Sequence, residues 1–583
     1  MIRPVAIASA MLVAGALAAQ TIVSVPPPPP PPPPAPEVQF SSPQDAAPYR
    51  PSALSGPASF TISGIVVSTT TGTPLDRADV TLTTPGQFGS PIAETVTTAS
   101  GGFRFDHLQA ARYRLETSRR GYITAGYEDH DGFSTGIVTG PNLNPQGLRV
   151  ALLPTAIIGG MVSDEAGDPV PGAQVRLYRQ DQRSGENHVV GAGTDITDDG
   201  GSYEFARLRA GTYYISVSAT PWYAFHPSAK TDDAGNILPA DQQPHSPLDV
   251  AYSTTFYEAA SDSDSATPLA LNAGDHVDAN FSLHAVPAIH MQIRLQAPGE
   301  NRGLPMPQLV QQVFGAEQTQ MIPQMMTTPS KGGSIIADIG GIAPGQYTLR
   351  QFPQQGESDR TATVDLASDL TVDFAAASAV GGVEVSGKVA MLSGEKIPNR
   401  ARFTLIPADG DRPGREWGIL EADGTFTLHN VAPGRYEVQI GSPNRRIAVT
   451  QMLASGAEVE GNHITVATEP VLMAATLASG ATNITGYAKQ QDKGVGGVMI
   501  LLVPRAPNTG TDLYRRDQTN TDGSFTLNRV IPGNYTLVAI ENGWSLDWGR
   551  REVVAPYLTR GIAVRITGQK AIELPSAVEI QPR

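Results

Sequence analysis

The chain has 583 residues, no cysteine, and a formal net charge of −15 from 41 lysines and arginines against 56 aspartates and glutamates. The length exceeds the roughly 250–300 residues that one hydrophobic core supports, so several domains are expected. Without thiols there are no disulfides, no cysteine nucleophile and no thiolate metal centre, and the acidic balance argues against nucleic acid, whose phosphates need a basic footprint.

Residues 1–19, MIRPVAIASAMLVAGALAA, place one arginine ahead of an apolar run from Val5 to Leu17. That run is too short for the roughly 20 residues of a membrane-spanning helix. Ala16-Leu17-Ala18 supplies a small-residue cleavage site, so residues 1–19 are expected to be a secretory signal peptide. No later segment has the length and apolarity of a membrane helix. Residues 20–57 come next, with nine consecutive prolines, Pro26–Pro34. A run of nine prolines cannot form the interior of a helix or sheet, and at about 3.1 Å per residue it is expected to make a polyproline II rod about 28 Å long. The stretch after it is polar and proline-rich, and the whole of 20–57 is expected to be a disordered spacer.

From Ala58 onward threonine, valine, isoleucine and tyrosine alternate with polar residues, and Gly, Pro, Asn and Asp interrupt every 8–12 residues. That texture predicts short antiparallel strands in sandwiches, without helices. One phrase returns four times: SGGFRFDHLQAARYRL from Ser100, GGSYEFARLRAGTYYI from Gly200, ADGTFTLHNVAPGRYEV from Ala422 and DGSFTLNRVIPGNYTL from Asp522. A fifth, eroded copy keeps Pro344, Gly345 and Tyr347 but has Ala337 in place of the first aromatic. The five tyrosines, Tyr113, Tyr213, Tyr347, Tyr436 and Tyr535, lie 100, 134, 89 and 99 residues apart. A period near one hundred is too long for a solenoid repeat of 20–50 residues and suits autonomous domains. The expected organisation is an all-β array of Ig-like or prealbumin-like sandwiches: 58–154, 155–286 with a connector, a divergent third at 287–379, 380–478 and 479–583.

Within the phrase each residue has a folding task. Gly523 suits a tight turn with positive φ. Phe525 and Leu527, two apart, face one side of a strand. Val530 is expected to plug the sandwich end. Pro532-Gly533 makes a second turn, and Tyr535 fills core with its ring while its hydroxyl ties down a loop, in the manner of a tyrosine corner. Most copies are preceded by a strand that opens with glycine, a Gly/Pro-rich connection and a second strand, as in IIGGMVSDEAGDPVPGAQVRLYR.

GDPVPGAQVRL followed by DDGGSYEFARLRAGTYYISV resembles the carboxypeptidase regulatory-like domain, a transthyretin-like seven-stranded β-sandwich. The resemblance extends over most of the chain after residue 58. It implies a module without catalytic residues of its own. It also places the module near carbohydrate-binding-like folds, an analogy of fold that does not dictate function.

Motifs of catalysis are missing from the sequence. None of the ten histidines has a glutamate three residues on, and there is no HExxH, no GxSxG elbow and no P-loop. Two acidic clusters, at 127–132 and 261–265, supply calcium candidates Glu128, Asp129, Asp131, Asp262 and Asp264. Neither has the spacing of an EF-hand, and a solvated loop explains each more simply. No cofactor is expected. Aromatic pairs at Trp222/Tyr223 and Trp544/Trp548 could stack on sugar rings, or could cover sandwich ends and joints between domains.

The function expected from the sequence is that of a non-enzymatic exported protein at the bacterial cell envelope, in the periplasm, at the surface or outside the cell. It would serve as a structural, adhesive or recognition scaffold. A carbohydrate-binding protein using Trp222, Tyr223, Trp544 or Trp548 is the alternative, and a peptidase-associated accessory protein is a third reading. A polysaccharide or another envelope protein is the expected partner.

Overall fold

In the computed structural model residues 59–583 are described, apart from 85–90, 144, 183–184, 186, 229, 231, 233–237, 239–245, 297–306, 330–333, 352–359, 374–382, 409–415, 444 and 507–509. The expected signal peptide and spacer lie outside the described residues. From Phe60 to the C-terminus the chain forms five β-sandwiches built on one plan.

In each sandwich one sheet is centred on the first strand, which pairs antiparallel with a strand of the repeated phrase and parallel with a late strand. In the first sandwich Phe60–Ser68 lies between Gly102–Leu108 and Leu148–Leu152. The same arrangement recurs around Ala156–Ser163, Ile289–Gln296, Val383–Met391 and Thr482–Gln490. The opposing sheet runs from an edge strand through the second strand to the tyrosine strand: Ala93–Val96, Asp79–Thr83 and Arg112–Ser118 in the first copy, and Arg515–Gln518, Met499–Pro504 and Gly533–Ile540 in the fifth. Alternating side chains from the two sheets meet in five separate apolar cores, one per copy.

The repeated residues do what their chemistry suggests. Each of the five tyrosine hydroxyls donates to the carbonyl four residues upstream: Tyr113 to Gln109 (3.0 Å), Tyr213 to Arg209 (2.8 Å), Tyr347 to Ala343 (2.9 Å), Tyr436 to Ala432 (2.7 Å) and Tyr535 to Ile531 (2.8 Å). The rings are buried, and burial pushes the Tyr535 phenol up to about 12. Phe525, Leu527 and Val530 all sit in the fifth core. The glycine of the opening strand answers to a close approach. A Cβ on Gly64, Gly160 or Gly387 would stand 2.2, 2.2 or 2.1 Å from a carbonyl oxygen of the chain segment beside it.

A further repeated device is a buried threonine after the edge strand. Thr97 Oγ accepts from the Ala78 amide and donates to the Leu75 carbonyl, Thr197 does the same with Ala173 and Val170, and Thr519 accepts from Val498. In the fourth copy Leu420 takes this place, and only its backbone amide makes the corresponding bond, to Ala401.

Two copies depart from the plan. The divergent third copy has a buried alanine, Ala337, at the aromatic position, and Ile322, just before the extra strand Gln324–Pro329, and Met325, within it, pack on that core. The fifth copy contains an α-helix, Arg551–Leu558, with Pro556 inside it, where the alternation gives no sign of helix. That helix packs on the outer face of Gly533–Ile540. Met499, Leu501, Val503, Val538, Ile540, Trp544, Trp548 and Val554 form a second apolar layer there. Among the described residues no helix is long and apolar enough to cross a membrane.

Candidate functional site

The second layer of the fifth sandwich is the meeting point of distant parts of the chain. Arg516, on the edge strand, places its guanidinium 4.5 Å from the Trp548 ring centre, 5.9 Å from Trp544 and 5.2 Å from Phe133 of the first sandwich. Its Nη1 lies 3.8 Å from Asp131, also of the first sandwich. His130 stacks flat on Trp544 at 5.2 Å. The Gln518 amide donates to the Glu128 carbonyl (2.6 Å) and Thr135 Oγ (2.7 Å), and two further bonds join Val138 to Thr521 (2.9 Å) and Thr521 to Gly136 (2.9 Å). The second sandwich touches the same layer, where the Gly549 amide donates to the Gly185 carbonyl (2.8 Å).

This arrangement corrects the expectation of a sugar platform on Trp544 and Trp548. Their exposures are 9% and 7%, and neither offers an open face to a ligand. It also accounts for the acidic cluster at 127–132. Glu128 accepts from Thr135 Oγ (2.8 Å) and Asp131 faces Arg516, while Asp129 is half-buried. In the other cluster Asp262 accepts from the Ser265 amide (2.8 Å) and Asp264 is exposed. Among the described residues no three histidine, aspartate or glutamate side chains gather into a metal-binding group.

Between the second and third sandwiches the joint is aromatic. Phe314 of the third copy enters a recess formed by Tyr178, Tyr214 and Phe256 of the second, with ring centres 4.8–5.8 Å away. Its amide is met by Ser263 Oγ (3.2 Å), so the 261–265 loop serves as a brace. Nearby, Asp249 bridges two histidines, with Oδ1 at 2.8 Å from His226 Nδ1 and Oδ2 at 2.7 Å from His290 Nε2.

Beside this joint lies the aromatic pair that remains accessible. Trp222 is 81% exposed, and Tyr223 stands edge-on to it at 5.7 Å, 89° between ring planes. Tyr223 is anchored by a hydrogen bond from its hydroxyl to Glu165, and Tyr252 donates to the same carboxylate (3.4 Å). The bond to Glu165 raises the Tyr223 phenol above its ordinary value, and burial followed by the Glu165 charge raises that of Tyr252. Tyr252 in turn lines a cleft of about 280 Å³ between the second and third sandwiches. Pro221, next to Trp222, lines it too. The structure therefore separates the four aromatic candidates: Trp222 and Tyr223 follow Pro221 of the cleft wall and connect to its Tyr252 through Glu165, while Trp544 and Trp548 hold sandwiches together.

Two family models match parts of the chain. The model of the carboxypeptidase regulatory-like domain matches residues 61–133 and 157–237. Residues 482–556 match the model described as BOS complex subunit NOMO1-like, second beta sandwich domain. No curated protein matches the chain. Among solved structures, the Bacillus anthracis TIE protein is 10% identical over 73% of this chain and 76% of its own, with a TM-score of 0.16. The minor pilin GBS52 of Streptococcus agalactiae is 11% identical over 39% of this chain and 97% of its own, with a TM-score of 0.19. The shaft pilin SpaA of Lactobacillus rhamnosus GG is 10% identical over 39% and 98%, with a TM-score of 0.18.

Proposed function

We propose that this tandem array of β-sandwiches, whose first two copies match the carboxypeptidase regulatory-like domain, is a non-enzymatic scaffold exported to the cell envelope, which holds recognition surfaces in fixed relation to one another. The observation that carries this reading is that the repeated motif residues are used up in folding. The tyrosines, the threonines and the close-approach glycines each serve a core or a turn. The expected leader and proline-rich spacer support export and stand-off from a surface.

The test pairs co-sedimentation of residues 20–583 with isolated cell envelopes and assays against peptide and glycoside substrates. The expected result is retention on envelopes without turnover. Turnover that copurifies with the protein and is lost on a point substitution overturns the reading.

A second reading, carbohydrate recognition at Trp222 and Tyr223, has its own support in the 81% exposure of the Trp222 indole. Sugars present flat C–H faces that stack on such rings, and a rigid edge-on neighbour limits the angle of approach.

A further inference from the structure

The cleft beside Trp222 has one charged side chain in its lining, and it is cationic. The protein carries a net charge of −15, yet among the described residues no aspartate or glutamate lines the cleft and its single charged group is Arg176. Arg176 lies on the second strand of the second sandwich, opposite Ser216, and one guanidinium nitrogen donates to the Gln174 amide oxygen at 2.7 Å. Among the described residues no carboxylate forms an ion pair with Arg176, whose hydrogen-bond partner here is a neutral amide. Gln174 and Gln320 add side-chain amides on the two walls, one from each sandwich.

A guanidinium fork matches a carboxylate in two parallel hydrogen bonds and is among the strongest and most selective polar contacts a protein makes with a small ligand. Amides pair with vicinal hydroxyls, and an exposed indole takes the apolar face of a sugar ring. The sequence of contacts from Tyr252 in the cleft through Glu165 to Tyr223 and Trp222 holds the platform in place relative to the cleft.

We propose that the joint between the second and third sandwiches binds an acidic glycan, with the carboxylate of a uronic-acid-type residue on Arg176 and a neighbouring sugar ring on Trp222. The proposal rests on the carbohydrate reading of Trp222 and Tyr223 and narrows it to a charge class and a site. Because both sandwiches contribute walls, a ligand here also spans the joint.

The test is calorimetric titration of residues 20–583 with trigalacturonate and, in parallel, with neutral galactotriose. Trigalacturonate is expected to bind at least about tenfold more tightly, with affinity falling as salt rises. Arg176→Gln is expected to remove that preference and leave weak binding of the neutral sugar. Trp222→Ala is expected to abolish both, and at 81% exposure its loss should not disturb folding, which a thermal melt checks. Equal binding of the two sugars, unchanged in Arg176→Gln, overturns the acidic proposal and leaves the carbohydrate reading standing. Absence of binding to either sugar overturns both.

Discussion

At the scale of single residues, the clearest liability to pH is Asp517, on the edge strand that faces the first sandwich. Burial raises its carboxyl to about 6, against an ordinary value of 3.8, although it accepts a hydrogen bond from the Thr526 amide at 2.7 Å. Between those values the native chain holds a proton that the unfolded chain has released. Stability therefore falls as pH rises through that interval. Asp517→Asn keeps an acceptor for Thr526 and removes the buried charge. Because Asp517 keeps some solvent contact, it is expected to gain only about 1–2 kcal/mol at pH 7.5, with little change at pH 4.5. Urea melts at the two pH values check this, and a loss of stability at pH 7.5 counts against it. The tyrosines, by contrast, are legible in the sequence because a fixed ten-residue spacing from aromatic to tyrosine recurs. The threonines Thr97, Thr197 and Thr519 recur as well, but polar residues abound around turns, so no signal in the sequence marks them as buried.

At the scale of strands, glycine in the opening strand decides whether the parallel strand can lie beside it. In Gly387→Ala the new Cβ would sit 2.1 Å from the Met473 oxygen, so backbone must move. The expected cost is about 1–3 kcal/mol, read from a shifted denaturation midpoint of the fourth sandwich. Gly441, with nothing within 4 Å, is the control, and Gly441→Ala should be near neutral. An equal cost at both positions would exclude the close approach as the cause. Strand faces and core positions follow from alternation, which is a local property. The helix Arg551–Leu558 does not, since Pro556 and its short length hide the period. A signal for the second apolar layer does exist. MILLVP and YTLVAI run without alternation, which marks strands buried on both faces.

At the scale of the whole molecule, the sandwiches do not form an open string. The first and second both return to the fifth through Arg516, Gln518 and Gly549. Nothing in the sequence announces which surfaces meet, because such contacts pair residues nearly 400 positions apart, as in the Gln518–Glu128 bond. That is also why Trp544 and Trp548 look like binding aromatics from their loops alone. Replacing Arg516 and Gln518 together by alanine removes the guanidinium from its aromatic enclosure and three hydrogen bonds, to Glu128, Thr135 and His130. The loss is expected to exceed about 2 kcal/mol of docking energy. Small-angle scattering should then report a larger radius of gyration with circular dichroism unchanged. An unaltered radius would mean that other contacts suffice to hold the first sandwich in place.

The return of the first sandwich to the fifth also bears on how the molecule carries load. Tension applied between residue 59 and residue 583 is expected to load first the noncovalent contacts at Arg516, Gln518 and Gly549, ahead of the covalent route through the middle sandwiches. Once those contacts part, the molecule is expected to lengthen while each sandwich keeps its own separate core.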